Sequence, residues 1–209
     1  MILHSEAEAH AFCATLTDEA GLARLERLAV LLVEENARQN LIAKASEGAI
    51  WLRHLADSAQ LLRHVPRETA GPWLDLGTGA GFPGLVIAAM RPGIECVLVE
   101  SRRKRVEWLE RAAAMLGLAN CRVEGRRLEH VESFPAAVIS ARAFAPLAKL
   151  LELSARFSTR DTLWLLPKGR SAVQEVSGLR PDAAAMFHVE QSLTDADAGI
   201  VIGTGRPIS

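Results

Sequence analysis

Residues 73–84 read Trp-Leu-Asp-Leu-Gly-Thr-Gly-Ala-Gly-Phe-Pro-Gly, and four of the fifteen glycines of the chain lie in this stretch. An apolar run precedes the glycines and another follows at 85–90, which predicts a buried strand, a tight turn and a helix. Glycine allows a positive φ and a close approach of a ligand to the backbone, and the first turn of a helix offers unpaired N–H groups. The stretch therefore predicts a ligand cleft, and the alternative is a glycine-rich turn that binds nothing.

Predicted strands and helices alternate after this turn. The further strands are expected at 95–100, 121–124, 136–141 and 162–166, with helices between them, and two last strands at 185–192 and 199–204 are joined by a short turn. This order is typical of an α/β protein with a Rossmann-like, doubly wound and mostly parallel sheet. We expect seven strands, with a C-terminal antiparallel hairpin at the edge of the sheet.

The first 65 residues have a helical pattern instead. A short helix is expected at 5–16 after Ser5, a second has apolar residues at three- and four-residue steps over 22–33, and further helix follows Ser46, a candidate N-cap. Residues 66–72 contain two prolines and a glycine, which end the pattern. The sequence thus predicts an N-terminal helical extension at 1–65 and a ligand-binding domain at 66–209.

The composition is that of an ordinary globular protein. The 209 residues are 49% hydrophobic and 23% charged, and Cys13, Cys96 and Cys121 are too far apart in sequence for a metal-binding motif. No apolar run of 18 residues occurs, and acidic residues stand where a signal peptide would be basic. We expect a cytoplasmic protein with reduced thiols, no metal site and no membrane segment.

The charge is unevenly distributed, although the net charge is only -1. Residues 71–160 contain thirteen basic and nine acidic residues, whereas the segments on either side are acidic. A basic region around the glycine turn favours a polyanionic partner, and a solvated surface of mixed charge is an equal alternative.

Two carboxylates suggest which ligand the turn binds. Gly79, Gly81 and Gly84 satisfy the GxGxxG pattern of dinucleotide binding, so an NAD-linked enzyme is one interpretation. Asp75, at the end of the first strand, would repel a pyrophosphate but could hold the ammonium group of S-adenosylmethionine. Glu100, at the end of the second strand, could accept hydrogen bonds from the ribose of either ligand. The pattern therefore favours S-adenosylmethionine.

Several motifs together resemble the bacterial RsmG, or GidB, family of class I methyltransferases. They lie in the family's order over residues 36–170: Asn40-Leu41, Arg53-His54-x-x-Asp57-Ser58, the turn from Asp75 to Gly84, Lys104-Arg105, Arg142-Ala143-Phe144-Ala145, and Lys168-Gly169. The resemblance implies a class I methyltransferase fold and methylation of N7 of guanine 527 in 16S ribosomal RNA. One departure is Leu128, where a smaller residue is common in the family.

The resemblance also implies which residues contact the cofactor. Carried over by position, the contacts fall on Gly77 and Phe82 in the turn, on Leu128 and Glu129 after the third strand, and on Arg142 after the fourth. Arg142 is the candidate for orienting the cofactor or the base. Phe144 is expected near the base pocket, with a core aromatic as the alternative.

The exit of the fourth strand contains no group that would act as a general base. It lacks the Asn/Asp-Pro-Pro-aromatic motif of exocyclic amine methylation and the cysteine of pyrimidine carbon methylation. Guanine N7 already carries an in-plane lone pair and has no proton to lose, so its methylation needs only desolvation and an in-line approach. The alternatives are another Rossmann-fold enzyme, either a small-molecule methyltransferase or an NAD-linked oxidoreductase, and a nucleotide-sensing or RNA-binding module.

Basic residues near the predicted strand ends are candidates for RNA binding. Ligands of α/β proteins bind at the carboxyl ends of the strands, where Arg126, Arg127, Lys168 and Arg170 are expected. The expected partner is 16S ribosomal RNA or a small-subunit ribosomal particle, bound by a monomer. His54 and Asp57, one helical turn apart, are expected to form a hydrogen-bonded pair that packs helices.

Overall fold

The glycine turn joins an inner strand of a sheet to a helix in the computed structural model, which describes residues 2–207. The strands are β1 (Trp73–Leu76), β2 (Cys96–Val99), β3 (Cys121–Glu124), β4 (Val138–Ala141), β5 (Leu163–Lys168), β6 (Phe187–Gln191) and β7 (Gly199–Thr204). The helices are α1 (Glu6–Ala14), α2 (Glu19–Gln39), α3 (Asp57–Ala59), α4 (Gly84–Met90), α5 (Arg103–Met115), α6 (Leu147–Ser154), α7 (Ala172–Ser177) and α8 (Pro181–Ala184).

The strand order is β3-β2-β1-β4-β5-β7-β6, and the first five strands are parallel. β7 pairs antiparallel with both β5 and β6, so the final hairpin lies at the edge of the sheet. The predicted class, a doubly wound and mostly parallel seven-stranded sheet, is confirmed. Because β1 and β4 are neighbours, their carboxyl ends lie side by side at one edge of the sheet.

The two faces of the sheet are covered by two hydrophobic cores. Successive residues of a strand point to opposite faces, so Trp73 packs in the first core while Leu74 and Leu76 pack in the second. Helices α4 and α5 cover the first face, and α6 and α7 cover the second.

The N-terminal helices belong to the first core. Leu25, Leu28 and Leu32 of α2 are fully buried in the same cluster as Trp73. After α2, the chain forms a 3-10 helix (Lys44–Ala49), a π-helix (Trp51–Ala56), α3, and a second 3-10 helix (Gln60–His64). The core is thus continuous across residues 65 and 66, and the extension forms one side of the molecule.

The N-cap predicted at Ser46 is wrong, whereas the helix expected after Ser5 begins there. Ser5 caps α1, since its hydroxyl accepts a hydrogen bond from the Glu8 amide at 3.1 Å. Ser46 lies inside a 3-10 helix and caps nothing. Ser101 does not cap α5, because the Glu100 carboxylate accepts from the amides of Ser101 and Arg102, each at 2.8 Å.

The described residues contain neither a candidate metal cluster nor a candidate membrane span. Over residues 2–207, no group of three or more His, Cys, Asp and Glu side chains is arranged to hold a metal ion. In the same part of the chain, no helix has the length and apolar character required to cross a bilayer.

Candidate active site

The glycine turn is built from three residues with positive φ: Gly77 at 62°, Gly79 at 61° and Gly81 at 106°. Side chains rarely adopt this conformation, which explains why glycines alternate here. A Cβ on Gly77 would overlap the ring of Phe144, and one on Gly81 would overlap Leu85 in the core. Gly77 therefore permits a close approach within the site, whereas Gly81 permits close helix packing.

Asp75 lies beneath the turn and is closed to direct contact with the ammonium group of a cofactor, and contact through a water molecule stays a prediction. Its side chain is completely buried. One carboxylate oxygen accepts from the Gly84 amide at 2.9 Å and the other from the Ser140 hydroxyl at 2.8 Å. Burial raises the pKa of Asp75, and these two hydrogen bonds act in the opposite direction. The carboxylate braces the start of α4 against β4.

A cavity of about 360 Å³ opens at the carboxyl ends of β1, β2 and β4, and we call it the glycine-turn cavity. It brings together four of the residues that the sequence assigned to cofactor binding, Gly77, Glu100, Leu128 and Glu129. Leu128 is buried and Glu129 is exposed, so the pair offers an apolar wall and a polar rim. Arg126 and Arg127 lie at its edge.

Glu100 lines this cavity and has one oxygen that accepts no hydrogen bond from the backbone. Its Oε1 atom accepts from two backbone amides, and its Oε2 atom lies 3.8 Å from the Arg105 guanidinium. The Arg105 guanidinium is also 3.4 Å from the position that a Cβ on Gly79 would take. Oε2 can therefore accept hydrogen bonds from a ligand diol between Glu100 and the glycine turn.

A second, larger cavity of about 900 Å³ lies on the other side of the β4 exit, and we call it the extension cavity. Arg142 lines this cavity and not the glycine-turn cavity. Its guanidinium donates to the Asp57 carboxylate at 3.1 Å and to the Arg53 carbonyl at 3.2 Å, and lies 5.1 Å from the centre of the Phe82 ring. Contact of Arg142 and Phe82 with a cofactor stays a prediction.

His54 is a neutral member of this cluster. Arg142 donates to its Nδ1 atom at 3.3 Å, so the proton lies on Nε2, which donates to the Ser46 hydroxyl at 3.0 Å. Burial, followed by the charges of Arg142 and Arg53, lowers the pKa of His54 to about 3. His54 stacks on Phe82 with ring centres 5.1 Å apart. The predicted His54–Asp57 pair is wrong, because both side chains instead contact Arg142.

We expect the free energy of unfolding to fall as the pH is lowered from about 6.5 toward 3, and to fall less steeply in the variant His54→Gln. The unfolded chain binds a proton at the ordinary histidine pKa of about 6.5, whereas folded His54 stays neutral down to about 3. Stability from neutral His54 is thus complete above pH 6.5 and is lost below it, by up to about 1.4 kcal/mol per pH unit. Urea unfolding of both proteins between pH 5 and 7 measures this, and equal slopes would contradict it.

Ala143 and Phe144 separate the two cavities and line both of them. Ala143 has a φ of 54°, one of two non-glycine residues with positive φ in the described chain. Such backbone costs of order 1–3 kcal/mol and clusters at functional sites. The half-buried ring of Phe144 packs against Gly77, so it forms the wall between the cavities.

The four basic residues predicted to bind RNA differ in their surroundings. The Lys168 ammonium is buried and donates to the Ala145 carbonyl and to Glu175, each at 2.9 Å, and its contact with RNA stays a prediction. Arg170 is exposed but paired with Asp197 at 2.7 Å, and Arg126 is paired with Glu124 at 3.1 Å. Arg127 is exposed, and within residues 2–207 it forms no ion pair.

Two residues of the site, Ser140 and Thr194, were not predicted from the sequence. Ser140 accepts from the Trp73 indole and donates to Asp75, each at 2.8 Å, so it fixes the floor of the turn. A polar residue inside an apolar strand was the signal for it. Thr194 donates to Asp57 at 2.7 Å, a contact between distant segments for which the local sequence gives no signal.

Comparisons with known proteins agree on one family. The family model described as "GidB: rRNA small subunit methyltransferase G" matches residues 21–199. A protein named "Ribosomal RNA small subunit methyltransferase G" from Erythrobacter litoralis is 59% identical over 205 residues, which cover 98% of this chain and 99% of the relative. The protein of that name from Novosphingobium aromaticivorans is 57% identical over 207 residues, or 97% of this chain and 90% of the relative.

A solved structure shares the fold. It is a "SAM dependent methyltransferase from Aquifex aeolicus", with a TM-score of 0.57 and 14% sequence identity over 77% of this chain and 94% of that chain. At this identity, the likeness concerns the fold alone.

Proposed function

Because the chain belongs to the GidB family of small-subunit ribosomal RNA methyltransferases, we propose that it transfers a methyl group from S-adenosylmethionine to N7 of guanine 527 in 16S ribosomal RNA. The observation that carries the proposal is the glycine-turn cavity. It joins the glycine turn, the carboxylate at the end of β2 and the segment after β3 in one space of about 360 Å³. These are the three parts by which a nucleoside cofactor would be held.

The residues present fit this cofactor. Oε2 of Glu100 would accept hydrogen bonds from the ribose hydroxyls. Leu128 would pack against the adenine, and Glu129 would accept from its amino group. The cofactor supplies an electrophilic methyl group on a sulfonium centre. With Asp75 buried, its charge no longer argues against a pyrophosphate, so the choice of S-adenosylmethionine over NAD is supported by family membership.

The protein's own contribution to the reaction is to position the guanine against the methyl group and to exclude water. The bound cofactor would supply the methyl group and keep the electron pair of the broken carbon–sulfur bond, and guanine N7 would supply the in-plane lone pair that forms the new bond. No proton moves in this step, so no general base is required. This agrees with His54, which is buried and neutral, and with Asp57 and Lys168, which are paired within the protein. Phe144 would stack on the base beside the methyl group.

RNA phosphates would bind at the exposed rim of the glycine-turn cavity. Arg102 and Arg127 both line it, and neither has an ion-pair partner in the described part of the chain. Arg126 and Arg170 are exposed but already paired, and surface pairs of this kind exchange partners at small cost. Free cations on the rim would thus provide the first contact with the RNA backbone.

We expect the double variant Arg102→Gln and Arg127→Gln to bind RNA with a weaker salt dependence. Each lost phosphate contact lowers the slope of log K against log salt by about 0.7 for single-stranded RNA, so removal of two contacts should lower it by about 1.4. Filter binding to 16S RNA at several salt concentrations measures the slope. Arg160→Gln is the control, because Arg160 lies just before β5, near the amino ends of the strands and away from the cavity. An identical slope in all three proteins would contradict the assignment.

The enzyme is proposed to act as a cytoplasmic monomer on 16S RNA or on a small-subunit particle. Residues 66–209 would form the cofactor-binding domain and residues 1–65 the helical extension. The deciding experiment is incubation with unmethylated 16S RNA, both free and assembled into 30S particles, followed by mapping of N7-methylguanine. Calorimetric titration with S-adenosylhomocysteine and with NAD tests the cofactor. Absence of product on both RNA substrates would reject the substrate, and binding of NAD alone would reject the methyltransferase.

A further inference from the structure

The extension cavity is enclosed by three segments that are far apart in sequence. The N-terminal extension contributes Ala43, Arg53, His54 and Asp57, the β4 exit contributes Arg142 and Phe144, and the segment from β5 to β7 contributes Lys168, Thr194, Asp195 and Ile200. Asp57 joins all three. One of its oxygens accepts from Arg142 at 3.1 Å and the other from Thr194 at 2.7 Å. The walls are therefore held in place relative to one another by one carboxylate.

The charges that line this cavity are balanced. Arg53 pairs with Asp195 at 3.0 Å, Arg142 with Asp57 at 3.1 Å, and Lys168 with Glu175 at 2.9 Å. A phosphate would have to compete with a carboxylate at each cation. A neutral heterocycle with many hydrogen-bond donors and acceptors would not, because these side chains keep free donors and lone pairs. The lining thus favours a nucleobase over a phosphate group.

The size and position of the extension cavity also favour a nucleobase. Its volume of about 900 Å³ is within the range of small-molecule sites. Phe144 forms the wall that it shares with the glycine-turn cavity, so a base stacked on this ring would lie next to the cofactor's reactive end. Pro146, Pro167 and Ile200 add apolar surface.

From these observations we propose that the extension cavity is the acceptor pocket, which receives one guanine nucleotide turned out of the RNA, and that Asp57 is the positioning residue that fixes its walls. The inference rests on the proposed function, since it assumes that a guanine is the substrate. It adds that the N-terminal extension and the C-terminal hairpin select the substrate while the glycine turn holds the cofactor.

The variant Ala43→Trp tests the pocket. Ala43 is exposed, lies in extended backbone and lines the extension cavity only, so an indole there would narrow the cavity without entering the core. We expect unchanged affinity for S-adenosylhomocysteine by calorimetry and a loss of methyl transfer to unmethylated 30S particles of about 100-fold, the effect of misplacing a reacting group. The matched control is Ala119→Trp, also exposed, which lines a separate cavity beside β3.

The outcomes separate this inference from the proposed function. If the wild-type protein and Ala119→Trp transfer no methyl group to the RNA, the proposed function fails. If both transfer it and Ala43→Trp transfers it equally fast, the acceptor pocket is wrong while the function stands. Loss of S-adenosylhomocysteine binding in Ala43→Trp would also overturn the inference, because the cofactor would then occupy the extension cavity.

The positioning role of Asp57 is tested by changing Thr194, which donates a hydrogen bond to it. Thr194→Val removes the hydroxyl that Asp57 accepts from and keeps the shape of the side chain, whereas Thr194→Ser keeps the hydroxyl. We expect Thr194→Val to raise KM for the RNA by about 3- to 10-fold, the usual net effect of one hydrogen bond, and Thr194→Ser to restore it. Equal kinetics of the valine and serine variants would assign Thr194 a packing role and contradict the inference.

Discussion

Valine at position 77 is expected to lower the affinity for S-adenosylhomocysteine by about 100-fold, equivalent to about 2.7 kcal/mol, and to abolish methyl transfer. Gly77 has a φ of 62°, and a Cβ at this position would overlap Phe144. The valine side chain would reduce the space of the glycine-turn cavity and displace the wall between the two cavities. The backbone strain adds a cost of about 1–2 kcal/mol to folding, which leaves the protein folded.

The control for Gly77→Val is Gly93→Val. Gly93 lies between α4 and β2, with no atom within 4 Å of an added Cβ and no positive φ. Circular dichroism and thermal unfolding establish that both variants are folded, and calorimetry then measures the cofactor affinity. A folded Gly77→Val variant with the affinity of the wild-type protein would show that the cofactor binds elsewhere.

The second large effect concerns stability. Asp75→Ala is expected to lower the free energy of unfolding by about 2–4 kcal/mol, because it leaves the Ser140 hydroxyl and the Gly84 amide buried without an acceptor. Relief of the buried charge offsets part of this loss. Asp75→Asn should lose less, since an amide oxygen replaces one of the two acceptors.

Urea unfolding at pH 7 measures both variants, and Asp161→Ala provides the comparison because Asp161 is largely exposed. An unfolding midpoint for Asp75→Ala equal to that of the wild-type protein would refute the bracing role. A loss of cofactor affinity in Asp75→Asn that exceeds its loss of stability would instead return Asp75 to the cofactor site, as the sequence suggested.

The sequence predicted the parts of the fold that depend on neighbouring residues. The apolar run before Gly77 and the glycines after it specify β1, the turn and α4, because strand burial and positive φ are local requirements. The face of the sheet on which the Asp75 side chain lies could also have been predicted from the sequence. Alternation places Asp75 on the same face as Trp73, beneath α4, and therefore away from the cleft.

The rest of the site depends on contacts between distant segments. Arg142 and Asp57 are 85 residues apart, and Thr194 is 137 residues from Asp57. No helical or strand periodicity and no motif relates positions so far apart. The sequence alone therefore could not show that Arg142 and Thr194 both donate to the Asp57 carboxylate. Lys168 illustrates the same limit, because its burial follows from Glu175 on α7, which folds back over the end of β5.

The separation of the two cavities along the chain has a consequence for protein synthesis. Every residue that lines the glycine-turn cavity lies between positions 77 and 153, whereas the extension cavity also needs residues up to Ile200. The ribosome therefore synthesises every residue that lines the glycine-turn cavity before it synthesises the final hairpin. The extension cavity, which we propose as the acceptor pocket, is the later of the two cavities to be completed, so an unfinished chain on the ribosome lacks the walls to engage the RNA beside it.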